Sequence, residues 1–221
     1  NQMTVTDITL DGVEVNVQGE GFELEGDFQL KHKDQSTEIT GVLEELLKVG
    51  FLCNDASLTI RDGEVQQSVG EPMEIALKIA GQKAGLRDND IQEKLPQVRK
   101  IAFEPSTKMM ATVHEHEDDG YYYAIKGSPT AVLNVSTQVA SPNGQQILDD
   151  DSKQNWLDKN EAIANRGLRV IALAKKTTEN EDMDPYENLT FLGLVGLMDP
   201  PREEVRSAID RCRQAGIQVS M

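Results

Sequence analysis

The 221-residue chain lacks a hydrophobic run long enough to cross a bilayer. Its longest, "FLGLVGLM" at residues 191–198, falls far short of the roughly 20 residues a spanning helix needs. Cysteine is scarce: Cys53 and Cys212 stand far apart without CxxC spacing. That argues against a disulfide frame or a zinc site and for reduced, structural thiols in a cytosolic setting. Positive charge is in deficit, with 22 Lys and Arg against 38 Asp and Glu, a net charge of −16. So acidic a surface disfavours nucleic acid, whose binding rests on Lys and Arg neutralising phosphates, and disfavours an anionic membrane. Neither GxxxxGK[ST] nor GxGxxG occurs, and "GEGFELEG" at residues 19–26 has the wrong glycine spacing. A nucleotide here is therefore held by neither a P-loop nor a Rossmann turn. No signal peptide, internal repeat or low-complexity tract is visible in these residues. The chain does not begin with Met and is expected to be a fragment.

What remains is an ordinary globular composition, 38% hydrophobic and 27% charged. "MTVTDITLDG" and "VEVNVQGEGF" read as strands joined at Asp11-Gly12. Residues 41–55 have helical spacing, with Gly50 as the expected stop, and "SLTIRDG" is a strand and turn. Residues 71–85, "EPMEIALKIAGQKAG", form an amphipathic helix with Pro72 in its first turn. "VRKIAFEP", "KMMATVHEHE" and "YYYAIKG" are strands, the last two turning at Asp118-Asp119-Gly120. Ser128 and Pro129 open a helix. "SKQNWLDKNEAIANRGL" is another, capped by Asp151 or Ser152, with Trp156 in or near the core. "RVIALAKK" and "LTFLGLVGLM" are strands, and "DPPREEVRSAIDRCRQAGIQVSM" is a loop, a helix and the start of a strand, with Asp199 a fair helix cap.

"HEHEDDG" at residues 114–120 invites a metal reading, but a solvated turn is the simpler account. The acids at residues 149–161 lack the glycine and spacing of an EF-hand loop. That leaves "IAFEPSTKMMATV" and "YYYAIKGSPTAVL". An adenine needs an aromatic or apolar platform, and phosphates need fixed cations and approachable N–H groups. Phe103, Lys108, Lys126 and Gly127 supply those types at the ends of one hairpin. By spacing alone, the plainer reading is a core phenylalanine and two surface lysines.

These two stretches closely resemble the nucleotide-binding segment of P-type cation ATPases, with its F-x4-K and KGAP-like elements. "CND" at 53–55, "VGEPMEIAL" at 69–77, "LRVIALA" at 168–174 and "GLMDPPREEV" at 196–205 resemble further elements of the family, in order. "NQMTV" is similar to the residues directly after its DKTGTLT motif, and "AGIQVSM" to those directly before its TGD motif. Ser128 stands where alanine is commoner, and Met73 where threonine is commoner.

The resemblance implies an α/β (α+β) fold: an antiparallel twisted sheet flanked by helices. Residues 2–198 would be a nucleotide-binding (N) domain. Residues 199–221, with residue 1, would be a hinge and a haloacid-dehalogenase-like remnant of the phosphorylation (P) domain. It implies ATP binding by Phe103 (stacked on adenine), Lys126 and Gly127 (the deep end), Lys108 and Arg169 (the phosphates) and Glu74 (the adenine amino group or a pocket lysine). Asp199, Pro200, Pro201 and Arg202 would form the hinge. No catalytic residue and no metal ligand is assigned, since Mg²⁺ would be held mainly by missing P-domain residues. The partners would be the P and actuator domains and transmembrane helices of one pump, at the cytoplasmic face of a membrane. The fragment would be monomeric and unable to turn over ATP alone. Its motifs look like those of the calcium and sodium/potassium group, with calcium preferred. Two other readings stay open: a stand-alone soluble nucleotide-binding protein and an acidic interaction module.

Overall fold

The computed structural model describes residues 2–31, 35–36, 41–116, 120–199 and 203–217. The chain opens with β1 (Thr4–Leu10), β2 (Val13–Val17), β3 (Phe28–Leu30) and β4 (Gln35–Ser36), then α1 (Gly41–Leu52). A hairpin, β5 (Ser57–Arg61) and β6 (Glu64–Val69), leads to α2 (Pro72–Lys83) and α3 (Asp88–Lys94). Next come β7 (Gln97–Glu104), β8 (Met109–His116), β9 (Gly120–Gly127), α4 (Pro129–Val135), β10 (Ser136–Ser141) and β11 (Gly144–Ile147). The chain continues through α5 (Asp150–Ala164), β12 (Arg169–Thr178), β13 (Leu189–Met198) and α6 (Glu203–Gln214).

Among the described residues, eleven strands form one sheet with the main path β4-β3-β2-β1-β13-β12-β9-β8-β7; β5 and β6 pair by themselves. Pairing is antiparallel except between β10 and β13. One flank of β13 is shared: residues 189–191 pair with β10, and residues 194–198 pair with β1. Gly193 sits at this junction, where a Cβ would lie 2.3 Å from the Thr9 carbonyl oxygen.

The sheet is buried on both faces, which is why its central strands are nearly continuous apolar runs. Along β9 the period-2 alternation sends Tyr122 and Ala124 toward one core cluster and Tyr123 and Ile125 toward the other. The first cluster is closed by Leu46, Leu47, Ala76 and Leu77 of α1 and α2. The second is closed by Val132 of α4 and Trp156 of α5, whose ring meets Phe191 edge-on at 4.9 Å.

Several elements form as their local chemistry demands. Gly12 supplies the positive φ of the β1–β2 turn. Pro72 occupies the first turn of α2, and Ser128 caps α4 by accepting from the Ala131 N–H. Three readings change. Gly50 does not stop α1, which runs on to Leu52; the missing side chain instead lets α1 lie against Leu77 and Leu173. Asp149, not Asp151 or Ser152, caps α5, accepting from the Ser152 N–H at 2.9 Å. His114 is not in a solvated turn. It is 3% exposed, with Nδ1 2.9 Å from the Leu95 carbonyl oxygen and Nε2 2.8 Å from Thr112 Oγ1. The turn expected at Asp118-Asp119, the hinge prolines Pro200 and Pro201 and the strand expected after Ile217 lie outside the described residues.

Candidate functional site

Lys126 is the penultimate residue of β9, and strand alternation aims it at the face covered by α1 and α2. There it meets Glu74 from the first turn of α2, Nζ to Oε1 at 2.5 Å. Both residues are buried, at 6% and 7% exposure. Two charges taken this far out of water persist only because each neutralises the other. The resemblance leaves Glu74 two partners, the adenine amino group or a lysine; in the fold its partner is Lys126.

The row of the sheet through Lys126 explains how Phe103 is presented. Met110 of β8 lies opposite Lys126. On β7 the ladder skips: Ile101 faces Ala111 and Glu104 faces Met109, so Ala102 and Phe103 together oppose Met110 alone. This is a β-bulge, a device that re-aims a side chain. Phe103 stands 57% exposed there, two strands from Lys126, about 10 Å at ordinary strand spacing. Sequence spacing could not reveal the bulge.

The same end of the sheet carries the other candidates. Gly127 lies opposite Met109, and the Ser128 N–H donates to the Lys108 carbonyl at 3.0 Å. A Cβ on Gly127 would sit 2.6 Å from that carbonyl oxygen and 2.7 Å from Met109 Cγ. The glycine is therefore required by strand packing, independently of any ligand. Lys108 turns the chain at φ 57° and is exposed. Arg169 opens β12, three residues before Ala172, the partner of Gly127. It too is exposed, and neither Lys108 nor Arg169 has an ion-pair partner among the described residues. A ligand touching both Phe103 and Arg169 must reach across β8 and β9. Asp199 follows β13 and is exposed; Pro200, Pro201 and Arg202 lie outside the described residues.

Of the residues of "CND", sequence reasoning gives a role only to Cys53, as a structural thiol. In the fold, the Cys53 thiol donates to the Met110 carbonyl at 3.4 Å, and burial pushes it up to about 12 against the pull of the Lys126 ammonium. Such a thiol is inert. Asn54 Nδ2 donates to the carbonyls of Gly50 at 3.1 Å and Glu74 at 2.9 Å, while its Oδ1 accepts from the Ala56 N–H at 2.8 Å. Asp55 pairs with Lys100 of β7 at 2.5 Å. Beside the Glu74 turn, Lys78 lies 3.9 Å above the Phe51 ring and pairs with Asp88. Among the described residues no three His, Cys, Asp or Glu side chains gather into a group able to hold a metal ion.

The arrangement is a buried charge pair flanked by an exposed aromatic ring and two uncommitted cations, on a domain that is otherwise strongly acidic. The family described as "P-type ATPase, cytoplasmic domain N" matches residues 42–204. The chain belongs to this family. Among P-type ATPases, it is 34% identical over 225 residues to a calcium-transporting ATPase of Bacillus subtilis, which covers all of this chain and 25% of that protein. It is 36% identical over 232 residues to a cation-transporting ATPase of Synechocystis sp., again all of this chain and 25% of the relative. A sodium/potassium exporting P-type ATPase of Schizosaccharomyces pombe is 32% identical over 202 residues, 87% of this chain and 19% of that protein. The chain thus spans about a quarter or less of the length of these relatives. As an N domain of a P-type ATPase, it has the expected α/β architecture: a mostly antiparallel sheet flanked by helices.

Proposed function

We propose that this N domain binds ATP and presents its γ-phosphate to an aspartate of a P domain outside these residues, driving cation transport. Phe103 stacks on adenine, and Glu74 and Lys126 form the polar floor. Gly127 keeps the backbone low beside them, and Lys108 and Arg169 meet the phosphates. The single observation that carries this reading is the buried Glu74–Lys126 pair set in one row with the bulge that exposes Phe103. The chemistry is phosphoryl transfer, where catalysis is chiefly positioning and charge neutralisation. Mg²⁺ arrives with the nucleotide and is held mainly by carboxylates of the P domain. The domain division accords with the same reading, with residues 2–198 as the nucleotide-binding body and 199–221, with residue 1, as hinge and P-domain arm. The P and actuator domains and membrane helices of the same chain are its partners, at the cytoplasmic face. The names of the relatives favour calcium as the cation.

The test is a calorimetric titration of the 221-residue chain with ATP, beside Phe103→Ala and Lys126→Ala. The wild type is expected to bind in roughly the micromolar-to-millimolar range. Removing the ring is expected to cost about 1–3 kcal/mol and the lysine about 1.5–3 kcal/mol. Phe103→Ala is the cleaner arm, because an exposed ring leaves the core untouched. A folded wild type without affinity, or variants that bind equally well, would overturn the proposal.

A further inference from the structure

We infer that the tripeptide Cys53–Asn54–Asp55 is a clamp that sets the walls of the pocket against one another, with Asn54 as the positioning residue for Glu74. The inference rests on the proposed nucleotide site and adds residues to it that touch no ligand.

Each member of the tripeptide reaches a different wall. Cys53 donates to the carbonyl of Met110, the β8 residue between the Phe103 bulge and Lys126. Asp55 pairs with Lys100 on β7, three residues before Phe103. Asn54 joins the end of α1 to the start of α2, donating to the carbonyls of Gly50 and Glu74. Its amide has two donor hydrogens and one acceptor oxygen, and all three are used in the same half-buried place.

Chemistry ranks the three contacts. The Asp55–Lys100 pair is solvent-exposed at both ends and contributes little. A thiol is a weak donor, so the Cys53 contact is mainly packing. Asn54 makes ordinary hydrogen bonds to two backbone carbonyls, one on each helix. The Glu74 carboxylate is thereby delivered to Lys126 by a backbone bond made at its own residue. Loss of that bond frees the first turn of α2 to shift, and a shift of about 1 Å at a positioning residue is enough to weaken a charge-assisted contact.

The experiment uses the 221-residue chain and ATP, with Asn54→Ala, Asn54→Asp, Glu74→Gln and the double variant Asn54→Ala/Glu74→Gln. Asn54→Asp keeps the oxygen that accepts from the Ala56 N–H but sets a carboxylate oxygen against both carbonyls. Asn54→Asp is expected to bind ATP about tenfold more weakly. The double variant is expected to bind no more weakly than Glu74→Gln alone, because Asn54 acts through Glu74. A purely structural asparagine predicts the opposite on both counts. Asn54→Asp would then bind like the wild type, or the two losses would multiply, and the clamp would be overturned. If Asn54→Ala fails to fold, Asn54→Asp, which keeps the turn, carries the test. If the wild type itself binds no ATP, the proposed function fails separately. The clamp is then judged by the Lys126 and Gly127 amide resonances, which Asn54→Asp must move; unmoved resonances sink it.

Discussion

A lysine that is 6% exposed and a glutamate that is 7% exposed share one interior position, and each is tolerable only in the presence of the other. His114 obeys the same logic without a charge. Burial holds its imidazole below the ordinary histidine range, and the neutral ring satisfies the Leu95 carbonyl and the Thr112 hydroxyl. A folded value below the unfolded one, near 6.5, means that the unfolded chain takes up the proton first. Stability is therefore complete above about pH 6.5 and declines as the pH falls from there toward the folded value. Urea midpoints measured from pH 7.5 to 5.5 should show this decline, and His114→Gln should flatten it. Equal slopes for both proteins would refute the assignment.

Between elements, the α1–α2 contact is governed by two glycines with opposite expectations. At Gly81 of α2 an added Cβ would sit 2.4 Å from the Phe51 ring, itself 1% exposed and unable to retreat. At Gly50 of α1 the nearest atoms are methyl groups of Leu77 and Leu173 at 3.3 and 3.4 Å, which can yield by a few tenths of an ångström. Alanine gains about 0.8–1 kcal/mol of helix propensity at either position. Overpacking a core costs about 1–3 kcal/mol. Gly81→Ala is accordingly expected to destabilise by about 1–2 kcal/mol, whereas Gly50→Ala should be neutral or slightly stabilising, as read from urea unfolding. Gly50 looks like a helix stop in the sequence because a glycine's cost in a helix is visible locally, while its packing reason is not. Asp149, by contrast, is within three residues of the expected cap of α5, and only the Ser152 N–H decides among neighbouring acids.

At the scale of the whole molecule, β13 is the spine: it pairs with β12 on one side and with β10 and then β1 on the other. Both core clusters use it, Leu192 and Val195 on one face and Phe191 and Leu194 on the other. Gly193 makes the changeover from β10 to β1 sterically possible. Gly193→Ala should cost at least about 2 kcal/mol and lower the melting temperature by several degrees, because the Thr9 carbonyl cannot move without breaking the β1 ladder. Single Trp156 lies against Phe191 of the same spine, so its fluorescence and far-UV circular dichroism should report that loss together. Separate transitions would mean that the two layers unfold independently.

The amphipathic spacing of α2, the apolar run of β9, the Ser128 cap and the acidic balance are local properties, and the chain alone determined them. Its ordered motifs also sufficed to place it among P-type ATPases, and they named Glu74, Phe103 and Lys126 as candidates. Tertiary structure alone decided that Glu74 and Lys126 face each other across 52 positions of sequence. It also decided that a bulge opposite Met110 exposes Phe103, and that Asn54 holds the first turn of α2. The reason is physical. Propensity and amphipathicity act over a few residues, whereas burial of a charge, register across a ladder and a side chain's choice of carbonyl depend on which distant segments the folded sheet brings together.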